Sequence, residues 1–273
     1  MKRNICVVAG ALLASLSFGQ TIITSGSSSF GWTSATDANI SGSTVRTGTS
    51  GGTSVVYSAS GSPDQLYQNW WWYRVNGVNS REYALSGLTS KVVSGNRMTL
   101  NYREPEGFDV ELRYTITNRP EGALVTGTAF VTSVSSSPLD FDFFNYMDFD
   151  IGGASNDQAV RISDNPAFRM KIFDTGSNVS AEYRAIDGIA YQVGNFASVR
   201  SLLTNTNVDN LNNTGLPYGP GDFTAANQWK FTLYEGEQIA IQTSYLLNPV
   251  PEPATMAVLG LGTLALLRRR KKN

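Results

Sequence analysis

Histidine is absent from the 273 residues of this sequence. Hydrolases that use a Ser-His-Asp or Cys-His arrangement need an imidazole to take the proton of the nucleophile, so these mechanisms are excluded. Imidazole is also, together with thiolate, the usual ligand of zinc, copper and iron in proteins. Two kinds of site chemistry remain: acid–base work by a pair of carboxylates, and calcium binding through oxygen atoms.

Cysteine is almost as scarce, because Cys6 is the only one. It lies in an N-terminal segment that we expect to be removed, so the rest of the chain holds no thiol for a disulfide or a metal. Residues 20–248 are numerous enough to form a sizeable core. We therefore expect stability to come from that core and from hydrogen bonds.

The N-terminus has the pattern of a secretory signal peptide over residues 1–19. Lys2 and Arg3 precede the apolar segment 5–16, and small residues precede an expected cleavage site between Gly19 and Gln20. A basic start, an apolar segment and small residues before a cleavage site, in this order, direct a chain to the secretion machinery. The structural alternative is a buried N-terminal helix.

The C-terminus, residues 249–273, contains three further sections. Pro251, Glu252 and Pro253 precede an uncharged apolar segment, residues 254–267. As a helix this segment would span about 21 Å, less than a hydrocarbon core of about 30 Å, which predicts a short transmembrane helix. A buried core helix is the alternative, but it does not explain the basic cluster at its end. That cluster consists of Arg268, Arg269, Arg270, Lys271 and Lys272.

Charge is distributed unevenly between the ends and the middle of the chain. Residues 20–250 contain 14 of the 21 basic residues and 21 of the 22 acidic residues, a net charge of −7. Because basic flanks stay on the cytosolic side of a membrane, this asymmetry predicts that the middle is translocated. The negative charge also disfavours binding to nucleic acid.

The Pro-Glu-Pro triplet, the apolar segment and the basic end together resemble the PEP-CTERM sorting signal of exopolysaccharide-producing bacteria, over residues 250–273. The resemblance implies processing by exosortase, a membrane-embedded cysteine transpeptidase, with removal of the tail near residues 251–253. It also implies a transient anchor in the inner membrane, then release or attachment at the cell surface or in the extracellular matrix. Residues 67–74 and 219–223 loosely resemble uncharacterised all-β bodies that precede such tails, which implies no activity.

Between the two ends, the sequence predicts an all-β body over residues 20–248. Ser, Thr, Gly, Asn and aromatic residues, which favour strands and turns, are frequent there. The clearest pattern lies in residues 97–118, where apolar and polar residues alternate on both sides of a turn at 104–107, as in a hairpin. About a dozen strand-like segments predict an antiparallel β-sandwich, with one short helix near residues 197–211.

Four aspartates share one face of a predicted strand in the segment 139–150: Asp140, Asp142, Asp148 and Asp150. Carboxylates on one strand face repel one another unless they are solvated, protonated or bridged by a cation. The functional interpretations are a calcium site, or a carboxylate pair for glycoside cleavage. The structural alternative is a solvated outer face over a Phe-lined core. The loop with Asp209 and Asp222 is a second calcium candidate, against a plain turn-rich connection.

Aromatic residues occupy both faces of another predicted strand, residues 67–74. One set is expected to fill the core, whereas the other could form a platform on which sugar rings stack. The candidates for that platform are Trp70, Trp71 and Tyr73. The structural alternative is a central strand that is buried on both sides.

These patterns favour an exported protein of the cell envelope, cell surface or extracellular matrix that has no enzymatic activity. Its expected partners are exosortase, the secretion machinery and, before processing, the membrane, with exopolysaccharide as a further candidate. An extracellular carbohydrate-binding module is the first alternative. A carboxylate-dependent glycoside hydrolase or lyase is the second. No cofactor is expected apart from the candidate calcium ion.

Overall fold

The computed structural model describes residues 21–26, 28–33, 52–56, 65–119, 122–153, 155–163, 167–176 and 179–249. Within these residues the chain is predominantly β, as the sequence predicts, and it contains one helix. In chain order the elements are β1 (Thr21–Ser25), β2 (Ser28–Thr33), β3 (Gly52–Val56), β4 (Leu66–Val75), β5 (Tyr83–Ala84), β6 (Leu88–Ser94), β7 (Arg97–Glu104), β8 (Phe108–Arg119), β9 (Gly122–Ser133), β10 (Leu139–Phe149), β11 (Asp157–Ser163), β12 (Ala167–Asp174), β13 (Val179–Ile186), β14 (Ala190–Gly194), α1 (Phe196–Thr204), β15 (Tyr218–Gly221), β16 (Thr224–Leu233) and β17 (Gln238–Pro249).

No helix in the described ranges is long and apolar enough to cross a membrane. The predicted signal peptide, residues 1–19, and the predicted transmembrane helix, residues 254–267, lie outside those ranges. Both therefore stay predictions.

The strands form three sheets. The largest has nine strands in the order β15-β11-β12-β13-β17-β9-β8-β7-β6, the next has five in the order β14-β16-β10-β4-β5, and the smallest joins β1, β2 and β3. Every pairing between these strands is antiparallel. Seventeen strands exceed the dozen or so that the sequence predicts, partly because very short strands such as β5 contain too few residues to show alternation.

The predicted hairpin over residues 97–118 is present as β7 and β8, and β9 extends it to an antiparallel meander of three strands. Leu100 stands opposite Leu112, and Leu112 stands opposite Ala129, so one apolar face runs across all three strands. Gly107 ends the predicted turn with a φ of 92°, a left-handed conformation that glycine adopts without steric cost. Apolar alternation and turn chemistry agree here, which is why the sequence was sufficient to locate these strands.

The five-stranded and nine-stranded sheets pack face to face, as a sandwich requires. Trp71 on β4 donates its indole N–H to the hydroxyl of Tyr114 on β8 at 2.9 Å. The ring of Tyr73 meets the ring of Phe108 edge-on, with the centroids 4.8 Å apart. These contacts join aromatic side chains of the two sheets in one core.

The other face of the five-stranded sheet is also covered. Trp70 points to this face and donates its indole N–H to the backbone oxygen of Leu85 at 3.1 Å. Val199 and Leu203, on the inner side of α1, are buried. The nine-stranded sheet on one side, and the helix and loop on the other, therefore bury both faces of β4, which explains why that strand is aromatic on both sides.

Helix α1 is shorter than the sequence predicts, because it ends at Thr204 rather than near residue 211. Asn205 is already extended, and its side chain accepts a hydrogen bond from the backbone N–H of Asn207 at 2.7 Å. It also donates one to Asp209 at 2.7 Å. Short polar side chains that bond locally in this way compete with the helical backbone, so the segment continues as a loop.

Candidate functional site

The solvent-facing side of the nine-stranded sheet carries two grooves. The first has a volume of about 450 Å³ and crosses strands β7, β8, β9 and β17. The second has a volume of about 510 Å³ and crosses β9, β17, β13 and β12. On β17 the lining residues alternate with buried ones such as Ile241 and Tyr245, so both grooves lie on the face that points away from the core.

The first groove combines one aromatic ring with paired charges. Phe130 is half-buried, and the guanidinium of Arg113 lies 4.4 Å from its ring centroid. Arg113 also forms an ion pair with Glu111, and Arg103 donates two hydrogen bonds of 2.7 Å to Asp109. The hydrogen bond from Arg103 holds the pKa of Asp109 below its usual range. Asp109 is therefore an ionised acceptor at neutral pH, beside the apolar ring of Phe130.

The second groove has a similar chemistry without a ring. Arg169 binds Glu182 through two nitrogen atoms, and both residues line the groove. Polar side chains of β17, Gln242 and Ser244, form its other wall, with Leu246 beside them. Side-chain amides, hydroxyls and ion-paired carboxylates offer donors and acceptors over a long, open surface.

The predicted aromatic platform lies in the interior. Trp70, Trp71 and Tyr73 are each at most 1% exposed. A sugar ring has to reach the face of an aromatic side chain in order to stack on it. The structural alternative, a central strand buried on both sides, therefore describes these three residues. Trp71 and Tyr73 contact the nine-stranded sheet, and Trp70 contacts Leu85 in the loop before β6.

The four aspartates of the segment 139–150 do not form one site. Asp140 accepts a hydrogen bond of 2.5 Å from the hydroxyl of Thr232, and Asp142 is buried against Arg74 at 2.6 Å. Asp148 and Asp150 lie at the other end of β10, close to Asp222. The alternation was right, but the strand is long enough to separate the carboxylates into different surroundings.

Asp142 belongs to a buried polar network centred on Arg74. Arg74 also forms an ion pair with Glu82, and Gln228 donates to Asp142 at 2.7 Å. Burial opposes ionisation of Asp142, but hydrogen bonds from Asn76 and Gln228 and the charge of Arg74 outweigh it and hold the pKa of Asp142 low. Burial raises the pKa of Glu82 despite the same cation. The charged and polar groups of this network pair with one another, so the network has a structural role.

The predicted sorting residues lie outside the described ranges. They are Gly19, Gln20, Pro251, Glu252, Pro253, Arg268, Arg269, Arg270, Lys271 and Lys272. The structure does describe what precedes the tail: β17 pairs with β13 as far as Pro249, which stands opposite Val179. Sequence reasoning did not identify Phe130, because a single phenylalanine on the polar face of a strand gives no periodic signal.

Comparison with known proteins gives different results for the tail and for the body of the chain. Residues 249–271 match the PEP-CTERM protein-sorting motif. No curated protein matches the chain. Among solved structures, the chain is similar to a galactose mutarotase related enzyme from Lactobacillus acidophilus, with 9% identity and a TM-score of 0.53 over 85% of this chain and 98% of that one. A bacterial glucoamylase complexed with acarbose is similar at 13% identity and a TM-score of 0.53, over 95% of this chain and 37% of that one.

At these identities the solved structures show a shared fold and nothing more. PEP-CTERM signals mark proteins that are exported to the cell surface or envelope, and they imply processing by exosortase. The resemblance that the sequence suggested is confirmed by the match at residues 249–271. The chain thus carries a PEP-CTERM protein-sorting motif behind a body built of antiparallel sheets.

Proposed function

We propose that this protein is a non-enzymatic component of the cell surface or extracellular matrix, delivered there through its C-terminal signal. The short apolar segment holds the translocated body at the inner membrane, and the basic cluster keeps the end of the chain in the cytosol. Exosortase reads the Pro-Glu-Pro triplet and removes the tail. The match to the sorting motif at residues 249–271 is the observation that carries this proposal.

The position of the motif suits removal of the tail. Strand β17 lies inside the nine-stranded sheet, between β13 and β9, and its last paired residue is Pro249. Cleavage near residues 251–253 would leave every pairing of β17 in place. The body should therefore keep its fold and its stability when the tail is removed.

Deletion of residues 268–272 is expected to block C-terminal processing, because the tail then loses the charges that hold its end in the cytosol. The measurement is the intact mass of the protein from its native cells. A matched variant with five lysines at these positions should be processed normally, since it keeps the charge. Normal processing of the deletion variant would refute the proposed role of the basic cluster.

We also propose, as a second function, that the body binds polysaccharide in the first groove. Phe130 offers the half-exposed ring that the buried tryptophans lack, and the ion pairs around it hold donors and acceptors in place. The shared fold with a galactose mutarotase related enzyme and a glucoamylase supports a carbohydrate ligand by analogy only. The host's own exopolysaccharide is the natural candidate.

Phe130→Ala is expected to weaken binding to exopolysaccharide roughly tenfold, the loss that removal of one stacked ring predicts. Binding is measured on a glycan array that includes polysaccharide from the host. Tyr67→Ala is the matched control, because Tyr67 is exposed on β4 of the other sheet. If no polysaccharide binds, or if both variants bind like the wild type, the groove is not a sugar site.

Catalysis by the body has no comparable support. The chain has no histidine, and the carboxylates of the first groove, Asp109 and Glu111, are each paired with an arginine. A glycosidase needs one carboxyl group that stays protonated near neutral pH, whereas Arg103 holds the pKa of Asp109 low. We therefore expect no release of reducing ends or unsaturated sugars from any polysaccharide that binds.

A further inference from the structure

Three aspartates from two separate parts of the chain meet where the two large sheets adjoin. Asp148 is near the end of β10, Asp150 directly follows that strand, and Asp222 directly follows β15. One carboxylate oxygen from each lies within 4.8 Å of the other two. Because β10 belongs to the five-stranded sheet and β15 to the nine-stranded sheet, this group, the acidic junction, connects the two sheets.

A fourth carboxylate, that of Asp157, lies near the acidic junction. Asp157 begins β11 and stands opposite Gly221, the neighbour of Asp222. It is fully buried; Oδ1 accepts a hydrogen bond from the backbone N–H of Ile151 at 3.1 Å, but buried Oδ2 has no hydrogen-bond partner among the described residues. A buried carboxylate oxygen without a donor requires a proton or a cation.

The electrostatics of Asp148 and Asp157 agree with this geometry. Burial, and then the charges of Asp150 and Asp222, raise the pKa of Asp148 to about 7. Burial and then the charges of Asp150, Asp174 and Asp222 raise the pKa of Asp157 to about 8. No arginine or lysine is among the groups that shift either carboxyl. Among the described residues, no arginine or lysine therefore offsets the charge of Asp148 or Asp157.

We propose that the acidic junction is a calcium site in which Asp148, Asp150 and Asp222 supply oxygen ligands and the neighbouring carboxylate of Asp157 adds negative charge. Calcium lies about 2.3–2.6 Å from each oxygen and accepts irregular arrangements, so two ligands of one ion stand up to about 5 Å apart. The separations in the acidic junction fit that limit. The bound ion neutralises the carboxylates and ties the end of β10 to the end of β15, so it stabilises the contact between the two sheets.

Calcium binding is tested on the full chain, purified in mild detergent and stripped with EDTA. Isothermal titration with CaCl₂ should show one ion per chain. In 5 mM CaCl₂ the midpoint of thermal unfolding should rise by roughly 5 °C, because the ion binds only the folded state. No binding at 5 mM, or an equal rise with MgCl₂ at the same concentration, would overturn the calcium assignment.

The variant Asp222→Asn tests the residues of the site, and it should fold because Asp222 is exposed. We expect calcium affinity to fall at least tenfold and the thermal shift to disappear. In EDTA this variant should unfold at the same temperature as the wild type or higher, since one repelling charge is gone. Asp140→Asn is the matched control: it lies on β10, keeps its contact with Thr232, and should respond to calcium like the wild type. Wild-type affinity in Asp222→Asn would contradict the proposal.

Discussion

At the scale of single residues, Arg74 shows how this chain keeps a charge inside a sheet structure. Its side chain is 3% exposed and forms ion pairs with Glu82 and Asp142. It also donates to the backbone oxygen of Asp209 at 2.8 Å and to the side chain of Asn210 at 2.9 Å. One cation thus holds the loop that contains Asp209 against the outer face of β4 and β10. Removal of the cation would leave two buried carboxylates without their partner.

Arg74→Met is therefore expected to lower the free energy of unfolding by about 3–5 kcal/mol, the usual cost of breaking a buried ion pair from one side. The measurement is equilibrium unfolding in urea. Arg103→Met serves as the control, because Arg103 pairs with Asp109 on the exposed face and its side chain is 65% accessible. If both variants lose a similar free energy of unfolding, burial is not the reason why the Arg74 network stabilises the protein.

The calcium proposal also belongs partly to this scale, because it depends on individual carboxyl groups. Asp142 and Asp148 are six positions apart on one strand, and both are buried. Hydrogen bonds and the charge of Arg74 outweigh burial and lower the pKa of Asp142, whereas burial and the charges of Asp150 and Asp222 raise the pKa of Asp148. The same residue type on the same strand face thus takes opposite electrostatic roles, according to what packs against it.

At the scale of elements, local chemistry decides where α1 begins. Asn195 precedes the helix with an extended backbone, and its side chain accepts a hydrogen bond from the backbone N–H of Ser198 at 2.9 Å. This bond satisfies one of the amide groups that a helix leaves unpaired at its start. The burial of Val199 and Leu203 then fixes which side of the helix faces the sheet.

Asn195→Ala is expected to destabilise the protein by about 1 kcal/mol, because the first turn of α1 loses its cap. Thermal and urea unfolding would measure the change. Asn195→Asp should be close to the wild type, since an aspartate caps a helix equally well. If Asn195→Ala and Asn195→Asp lose the same stability, the capping hydrogen bond is not the cause.

At the scale of the whole molecule, the two large sheets differ in how much of their surface is exposed. The five-stranded sheet is covered on both faces, by the nine-stranded sheet on one side and by α1 and loops on the other. No described residue covers the outer face of the nine-stranded sheet along the two grooves, and both grooves lie there. Ligand binding by the body is therefore expected on the open face, while the tail, beyond the end of β17, serves sorting.

The sequence by itself determined the features that depend on neighbours along the chain. The alternation in residues 97–118 located β7 and β8, because a strand repeats every second residue and Gly107 suits the turn between them. The C-terminal tail was recognisable for the same reason: its triplet, apolar segment and basic cluster are contiguous. The predominance of strands followed from composition and periodicity together.

Only the tertiary structure decided which side chains are accessible and which meet. Periodicity places Trp70 and Trp71 on opposite faces of β4, but it does not reveal that both rings are buried, which removes the aromatic platform. It likewise places Asp148 on a strand face without showing that Asp222, distant in sequence, lies beside it. Exposure and proximity depend on which remote segments pack together, and that information is carried by the whole core rather than by any one stretch of residues.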